Sequence, residues 1–79
     1  MQDKILQALR RNAAEDAAQL AREWIQAEPE QPQAHRWLAL SLQQQGQFDA
    51  ALDSLQQALA LAPDNPDLHL QHAGLLLAL

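Results

Sequence analysis

Three histidines and two serines are the side chains whose chemistry could give this chain a metal site or a nucleophile. His69 and His72 are three residues apart, which places them on one side of a helix, and imidazole is a common zinc ligand. His35 precedes His69 by 34 residues, the period of the repeat described below, and His72 stands one period after Leu38. Packing therefore accounts for all three histidines, and a zinc-binding helical bundle is kept as an alternative.

Catalysis has few candidate groups. Ser41 and Ser54 are the only hydroxyl side chains, cysteine is absent, and the sequence places no histidine beside either serine. A pair of carboxylates for acid–base chemistry would need a closed pocket, which a chain of 79 residues is too short to form. We therefore expect no enzymatic activity, no cofactor and no metal.

Charge and hydropathy exclude two classes of partner. With 5 basic and 10 acidic residues the net charge is −5, the wrong sign for binding phosphates, so we expect no nucleic acid. Residues 37–79 carry four acids and no base, which favours basic partners or simply solubility. No apolar run approaches the ~20 residues of a membrane span, and no positive stretch leads into an apolar block at the start. The expected location is cytoplasmic, without a membrane.

The residues that must position these side chains are helix formers. The chain has 16 Leu, 16 Ala and 13 Gln but no Val, Thr or Tyr, so we predict an all-α fold. Proline and glycine divide it into five segments of helical length. The predicted helices are 2–12, 15–27, 32–45, 49–61 and 66–78.

Helix starts, a helix end and one apolar face are also readable. Pro32 and Pro66 suit the first helical position, Asp49 suits an N-cap, and Gly46 suits a left-handed helix end. The fourth segment has the clearest apolar face, at i, i+1, i+4, i+7 and i+8. That face consists of Ala51, Leu52, Leu55, Ala58 and Leu59.

The sequence repeats itself with a period of 34 residues. The matches concentrate at turns and at small or apolar positions, as in a structural repeat whose sequence has drifted. The identical pairs are Ala17 and Ala51, Pro29 and Pro63, Pro32 and Pro66, His35 and His69, Ala39 and Ala73, and Leu42 and Leu76.

Residues 32–65 resemble one complete tetratricopeptide repeat. The resemblance rests on the Gly46-x-Phe48 turn, the small residues Ala51 and Ala58, and the closing Pro63. The sequence departs from the family's pattern at two places. Leu38-Ala39 stands where the family has a Leu-Gly pair, and Leu55 stands where it has an aromatic residue. Residues 1–31 are similar to a divergent preceding repeat, with Asn12 for the glycine and Ala14 for the turn aromatic, and residues 66–79 to the first helix of a third.

The resemblance implies one domain over residues 1–79, in which antiparallel helix-turn-helix repeats stack as a right-handed superhelix. It also implies a concave groove, lined by the first helix of each repeat, that binds a peptide or helix of another protein. The implied partner-binding residues are Gln33, Arg36, Leu40, Gln43, Gln44, Asp67, Leu70 and Leu77. Gly74 and, from the divergent repeat, Gln2, Leu6, Leu9 and Arg10 extend the set.

One specific activity of the resembled family is excluded. Its best-known site clamps the carboxylate of chaperone tails with Lys, Arg and Asn. The corresponding positions here hold Gln2, Leu6, Trp37, Asp67 and Gln71. None matches, so we expect no binding of chaperone tails.

The segment 66–79 ends in an apolar run, Leu75 to Leu79, with no charge after Asp67. Such a helix needs a cover, since a terminal repeat normally shows a polar outer face. One expectation is that a following helix of a longer chain covers it. The other is a partner or a second copy, and we expect these 79 residues alone to self-associate through this helix.

Two functions fit the whole pattern. The first is a non-catalytic scaffold for protein–protein interaction. The alternative is the N-terminal repeat arm of a multidomain enzyme, such as a transferase or hydroxylase, that recruits its protein substrate.

Overall fold

The computed structural model describes residues 2–78; Met1 and Leu79, the end residues of the predicted segments 1–31 and 66–79, lie outside the described residues. Residues 2–78 form five helices and no strand, so the all-α prediction is confirmed, with every helix bound within two residues of the expected position. The helices are α1 (Gln2–Arg10), α2 (Ala14–Ala27), α3 (Pro32–Gln44), α4 (Phe48–Leu61) and α5 (Pro66–Ala78).

The turns that end α1 and α3 have the same backbone structure. Asn12 has φ 64° and Gly46 has φ 81°, both in the left-handed region. In each turn the next amide donates to a carbonyl five residues back, Ala13 N to Ala8 O at 2.8 Å and Gln47 N to Leu42 O at 2.9 Å. This is the Schellman helix ending, in which a left-handed residue lets the chain reverse. It also explains why α1 ends at Arg10, earlier than expected.

The turns between hairpins repeat as well. The residues after α2 and α4, Glu28 and Ala62, have nearly identical dihedrals, φ −139° and ψ 75° against φ −140° and ψ 72°. In each of these turns a proline carbonyl accepts a hydrogen bond from the ring of the histidine six residues later. His35 Nε2 donates to Pro29 O at 3.1 Å, and His69 Nε2 donates to Pro63 O. The 34-residue period of the sequence is therefore a period of the backbone.

The predicted helix starts agree with the structure in part. Pro32 and Pro66 are the first residues of α3 and α5, as expected. The prediction that Asp49 caps α4 is wrong, because the helix begins at Phe48 and Gln47, held in the preceding turn, takes the cap position. Asp49 instead lies in the first turn, where its charge favours the positive end of the helix.

Each helix packs against its neighbours in sequence, and α1 also contacts α3. The core is rich in alanine: Ala17 and Ala51, one period apart, are both fully buried, which lets neighbouring backbones approach closely. Leu55, also fully buried, is the largest core side chain of α4. Within residues 2–78, every helix is too short or too polar to cross a bilayer.

Candidate functional site

The eight predicted partner-binding residues lie on α3 and α5, and every one of their side chains is at least partly accessible. Four are half-buried, all on α3, and four are exposed. The half-buried residues are Gln33, Arg36, Leu40 and Gln43, and the exposed residues are Gln44, Asp67, Leu70 and Leu77. These eight residues, together with Gly74 of α5 and the corresponding residues of α1, form what we call the first-helix surface. The residues of α1 are Gln2, Leu6, Leu9 and Arg10.

The period of 34 residues aligns three rows on this surface, with one residue from each first helix. Two rows are mainly apolar, and the third holds Arg36. From α1 to α5 the rows are Gln2, Arg36 and Leu70; Leu6, Leu40 and Gly74; and Leu9, Gln43 and Leu77. Leu6 and Leu9 are half-buried and pack against the core, whereas Leu70 and Leu77 are exposed. The surface therefore offers leucines and amides around one central cation.

Arg36 lies where a side chain of α5 contacts α3, and we call the group of Arg36, Trp37 and Gln71 the joint. Its guanidinium carbon is 5.4 Å from the centroid of the Trp37 ring, and its Nη1 donates to Gln33 Oε1 at 3.4 Å. From α5, Gln71 Nε2 donates to the backbone oxygen of Arg36 at 3.4 Å. Residues 35 positions apart in sequence are thus joined at the predicted surface.

This joint also holds polar atoms without partners. Among residues 2–78, three buried side-chain atoms make no hydrogen bond: Arg36 Nε, Trp37 Nε1 and Gln71 Oε1. An unpaired buried donor or acceptor costs about 1–3 kcal/mol, so such atoms are rare in native proteins. All three belong to side chains that meet at one place.

Sequence reasoning placed Arg36 on this surface but missed the joint. Trp37 is buried, with 7% of its surface exposed. Gln71 was considered only as a mismatch to the chaperone-tail clamp. Its position one period after Trp37 is the signal that could have placed the two side by side.

A depression of about 570 Å³ lies beside the α1–α2 and α3–α4 turns and shares only Gln44 with the predicted set. Its lining residues are Asn12, Ala13, Ala14, Glu15, Asp16, Gln44, Gln45 and Gln47. The predicted set therefore lies mostly outside this depression, on the accessible side of two helices, across which an extended chain or a helix could lie.

Three of the other side chains considered for chemistry, Ser41, His35 and His69, are engaged in structure. Ser41 Oγ is buried and donates to the Trp37 carbonyl at 2.8 Å, which leaves it no room to act as a nucleophile. His35 and His69 donate from Nε2 to proline carbonyls. Within residues 2–78, no three His, Asp or Glu side chains are grouped so that they could hold a metal ion.

Comparison with protein families gives one match. Residues 32–65, the α3–α4 hairpin with its flanking turns, match the family model for the tetratricopeptide repeat. No curated protein matches the chain. Repeats of this family typically form non-catalytic modules for protein–protein interaction. Residues 32–65, fewer than half of the 79 residues, are thus similar to a tetratricopeptide repeat, and the five helices of residues 2–78 are consistent with a fragment of such helical repeats.

Proposed function

We propose that this chain is a non-catalytic scaffold that binds an extended peptide or a helix of another protein on the first-helix surface. In this proposal residues 1–31, 32–65 and 66–79 act as one domain, whose repeats stack as a right-handed superhelix with that surface on the concave side. The alternative of a repeat arm in a larger enzyme assigns the same role to the same residues.

The observation that carries the proposal is the Arg36 side chain beside Trp37 and Gln71. Arg36 Nε has no hydrogen-bond acceptor, and the bond of its Nη1 to Gln33 is long, so the guanidinium is held mainly by its contact with the Trp37 ring. Turning toward a ligand oxygen would satisfy Arg36 Nε. The ligand group that fits is an acceptor, either a backbone carbonyl or a carboxylate.

Apolar contacts flank this anchor. Leu70 lies in the same row as Arg36 and Leu40 in the neighbouring row, and both side chains are accessible. A peptide with an acidic or carbonyl anchor and apolar side chains to each side would bury these leucines. Arg36 is the only Lys or Arg residue of α3 and α5, so the acidic group of the ligand would bind there, whereas the other arginine of the predicted set, Arg10, lies at the end of α1.

A peptide library tests this proposal. Random peptides selected on the full chain are measured by calorimetry against Arg36→Gln and, as a control with the same charge change, Arg22→Gln on the exposed side of α2. Loss of a charge-assisted hydrogen bond costs about 1.5–3 kcal/mol, so we expect affinity roughly 10- to 150-fold weaker for Arg36→Gln. Arg22→Gln should bind as the original chain does.

A second pair of variants tests the leucines. Leu40→Asp should weaken the same peptides by at least about tenfold, because it places an anion and removes apolar area at the centre of the surface. Gln56→Asp, exposed on α4, is the control. Circular dichroism verifies that each variant keeps its helices. Peptides that bind all four variants equally would contradict the proposal.

A further inference from the structure

Three residues of the first-helix surface are charged, and each stands on a different helix. Arg10 is in the last turn of α1, Arg36 is in the first half of α3, and Asp67 is in the first turn of α5. Every other residue of this surface is a leucine, a glutamine or Gly74. The sign of the charge therefore changes once across the surface, between α3 and α5.

The rest of the chain has the same charge asymmetry. Residues 1–36 hold all five Lys and Arg residues together with six acids, whereas residues 37–79 hold four acids and no base. The helix that α5 packs on, α4, carries the exposed Asp49 and Asp53, which add to the negative potential around Asp67. A ligand on the first-helix surface thus meets a cation over α3 and an anionic environment over α5.

Arg36 and Asp67 are close enough for one short segment to contact both. Gln71 Nε2 of α5 donates to the Arg36 backbone oxygen at 3.4 Å, so α3 and α5 are neighbours on this surface. Asp67 is one helical turn before Gln71, and neighbouring helix axes are roughly 10 Å apart. The two charged residues are therefore separated by roughly 10–12 Å, the length of about three residues of extended chain.

The residue between the two charges is apolar. Leu70 stands one period after Arg36, beside it on α5, and one turn after Asp67. Its side chain is 74% exposed. An apolar side chain of the ligand that lay here would bury Leu70.

We infer that the ligand, whose binding here rests on the function proposed above, carries a basic side chain about three residues from its acidic one. The acidic group lies on Arg36 and the basic group lies on Asp67, with an apolar residue between them on Leu70. A second acid in place of the base would meet Asp67 and the acids of α4, and a like-charge contact is unfavourable. The order of charges in the ligand thereby fixes which of its ends lies over α5.

Selected peptides test the second charge. Those that bind the full chain, taken from the random library described above, should share an acid and a base about three residues apart and bind more weakly as salt is added. Asp67→Asn should weaken them about two- to fivefold, the size of an exposed ion pair. Asp49→Asn is the matched control, because Asp49 is also exposed and in the first turn of its helix, and it should leave the affinity unchanged.

A double-mutant cycle locates the basic group of the ligand. Asp67→Lys should weaken a selected peptide about tenfold or more, because like charges then face each other. Replacing the base of the peptide by Glu should restore most of that loss, since residues in contact give non-additive effects. Asp49→Lys with the same two peptides should show additive effects. Circular dichroism verifies that each variant keeps its helices.

The results separate the charge order from the binding itself. Peptides that carry only acids, or that couple to Asp67 no more than to Asp49, would overturn the assignment of a base to Asp67. If Arg36→Gln still weakens those peptides, the function proposed above stands. Peptides indifferent to both Arg36 and Asp67, or a library that yields no binder, would overturn both.

Discussion

The α1–α2 and α3–α4 turns differ at every residue yet close with the same bonds. Residues 11–14 are Arg-Asn-Ala-Ala, and residues 45–48 are Gln-Gly-Gln-Phe. In both turns the left-handed residue donates its amide three residues back, Asn12 to Leu9 O at 3.1 Å and Gly46 to Gln43 O at 3.0 Å. Asparagine and glycine are the two residues that adopt this conformation at low cost.

The comparison shows which features a repeat must keep. A left-handed residue and a fully buried alanine occur at the same phase of both hairpins, whereas Ala21 of α2 corresponds to Leu55 of α4. The large core side chains can therefore stand at different positions in the two hairpins, because Trp24 and Ile25 of α2 pack against the same core. The left-handed residue and the small residue at the close helix contact keep the same positions in both. The predictions below test this difference.

The largest effect is expected where the second hairpin depends on one large side chain. Leu55→Ala should lower the free energy of unfolding by about 2–5 kcal/mol, since it leaves a cavity in a fully buried site. Urea unfolding followed by circular dichroism measures this. Leu61→Ala, at an exposed position, should cost less than about 0.5 kcal/mol. Equal effects of the two substitutions would mean that the α4 core is not packed as described.

The next effect tests whether the hairpins are equivalent. Ala17→Leu and Ala51→Leu should each cost about 1–3 kcal/mol, because added bulk pushes apart helices that approach closely at these buried alanines. Ala50→Leu, next to Ala51 but exposed, is the control and should be nearly neutral. A large cost at one alanine and none at the other would show that only one hairpin is tightly packed.

Most of the backbone was readable from the sequence because it depends on local signals. Proline at helix starts, Gly46 at a helix end and the apolar spacing of α4 each act within a few residues. The helix caps were harder, because Asn65 Oδ1 accepts from Asp67 N at 2.9 Å and caps α5, while Asp49 caps nothing. The two side chains are alike, and only the path of the preceding turn separates them.

The candidate site was readable in part, for a related reason. Helical phase placed Arg36 and Leu40 on the accessible side of α3, as the structure has them. It did not reveal that Gln71 reaches the Arg36 carbonyl, because that contact depends on how two helices 35 residues apart are set side by side. The unpaired atoms of the joint depend on tertiary packing, which no local pattern encodes.

A smaller effect concerns the left-handed residues themselves. Gly46→Ala should cost about 1–2 kcal/mol, since alanine is strained at φ 81°. Asn12→Ala should cost less than that, because asparagine already bears part of the strain that glycine avoids. Asn12→Gly should be neutral or stabilising. Thermal unfolding measures all three, and an Asn12→Ala cost larger than that of Gly46→Ala would break the equivalence of the two turns.

The smallest effect has the opposite sign and uses the other glycine. Gly74 lies inside α5, its φ is not left-handed, and a Cβ there would meet no atom within 4 Å. Gly74→Ala should therefore stabilise the chain by about 0.5–1 kcal/mol, since alanine loses less backbone freedom in a helix. For a domain of this size that raises Tm by roughly 4–8 °C per kcal/mol.

The measurement belongs at low protein concentration, so that any self-association of the chain adds nothing to stability. The same chemical change then destabilises at Gly46 and stabilises at Gly74, so the sign depends on backbone conformation alone. A loss of stability at Gly74 would mean that α5 departs from a regular helix there. The third first helix would then differ from α1 and α3 in backbone.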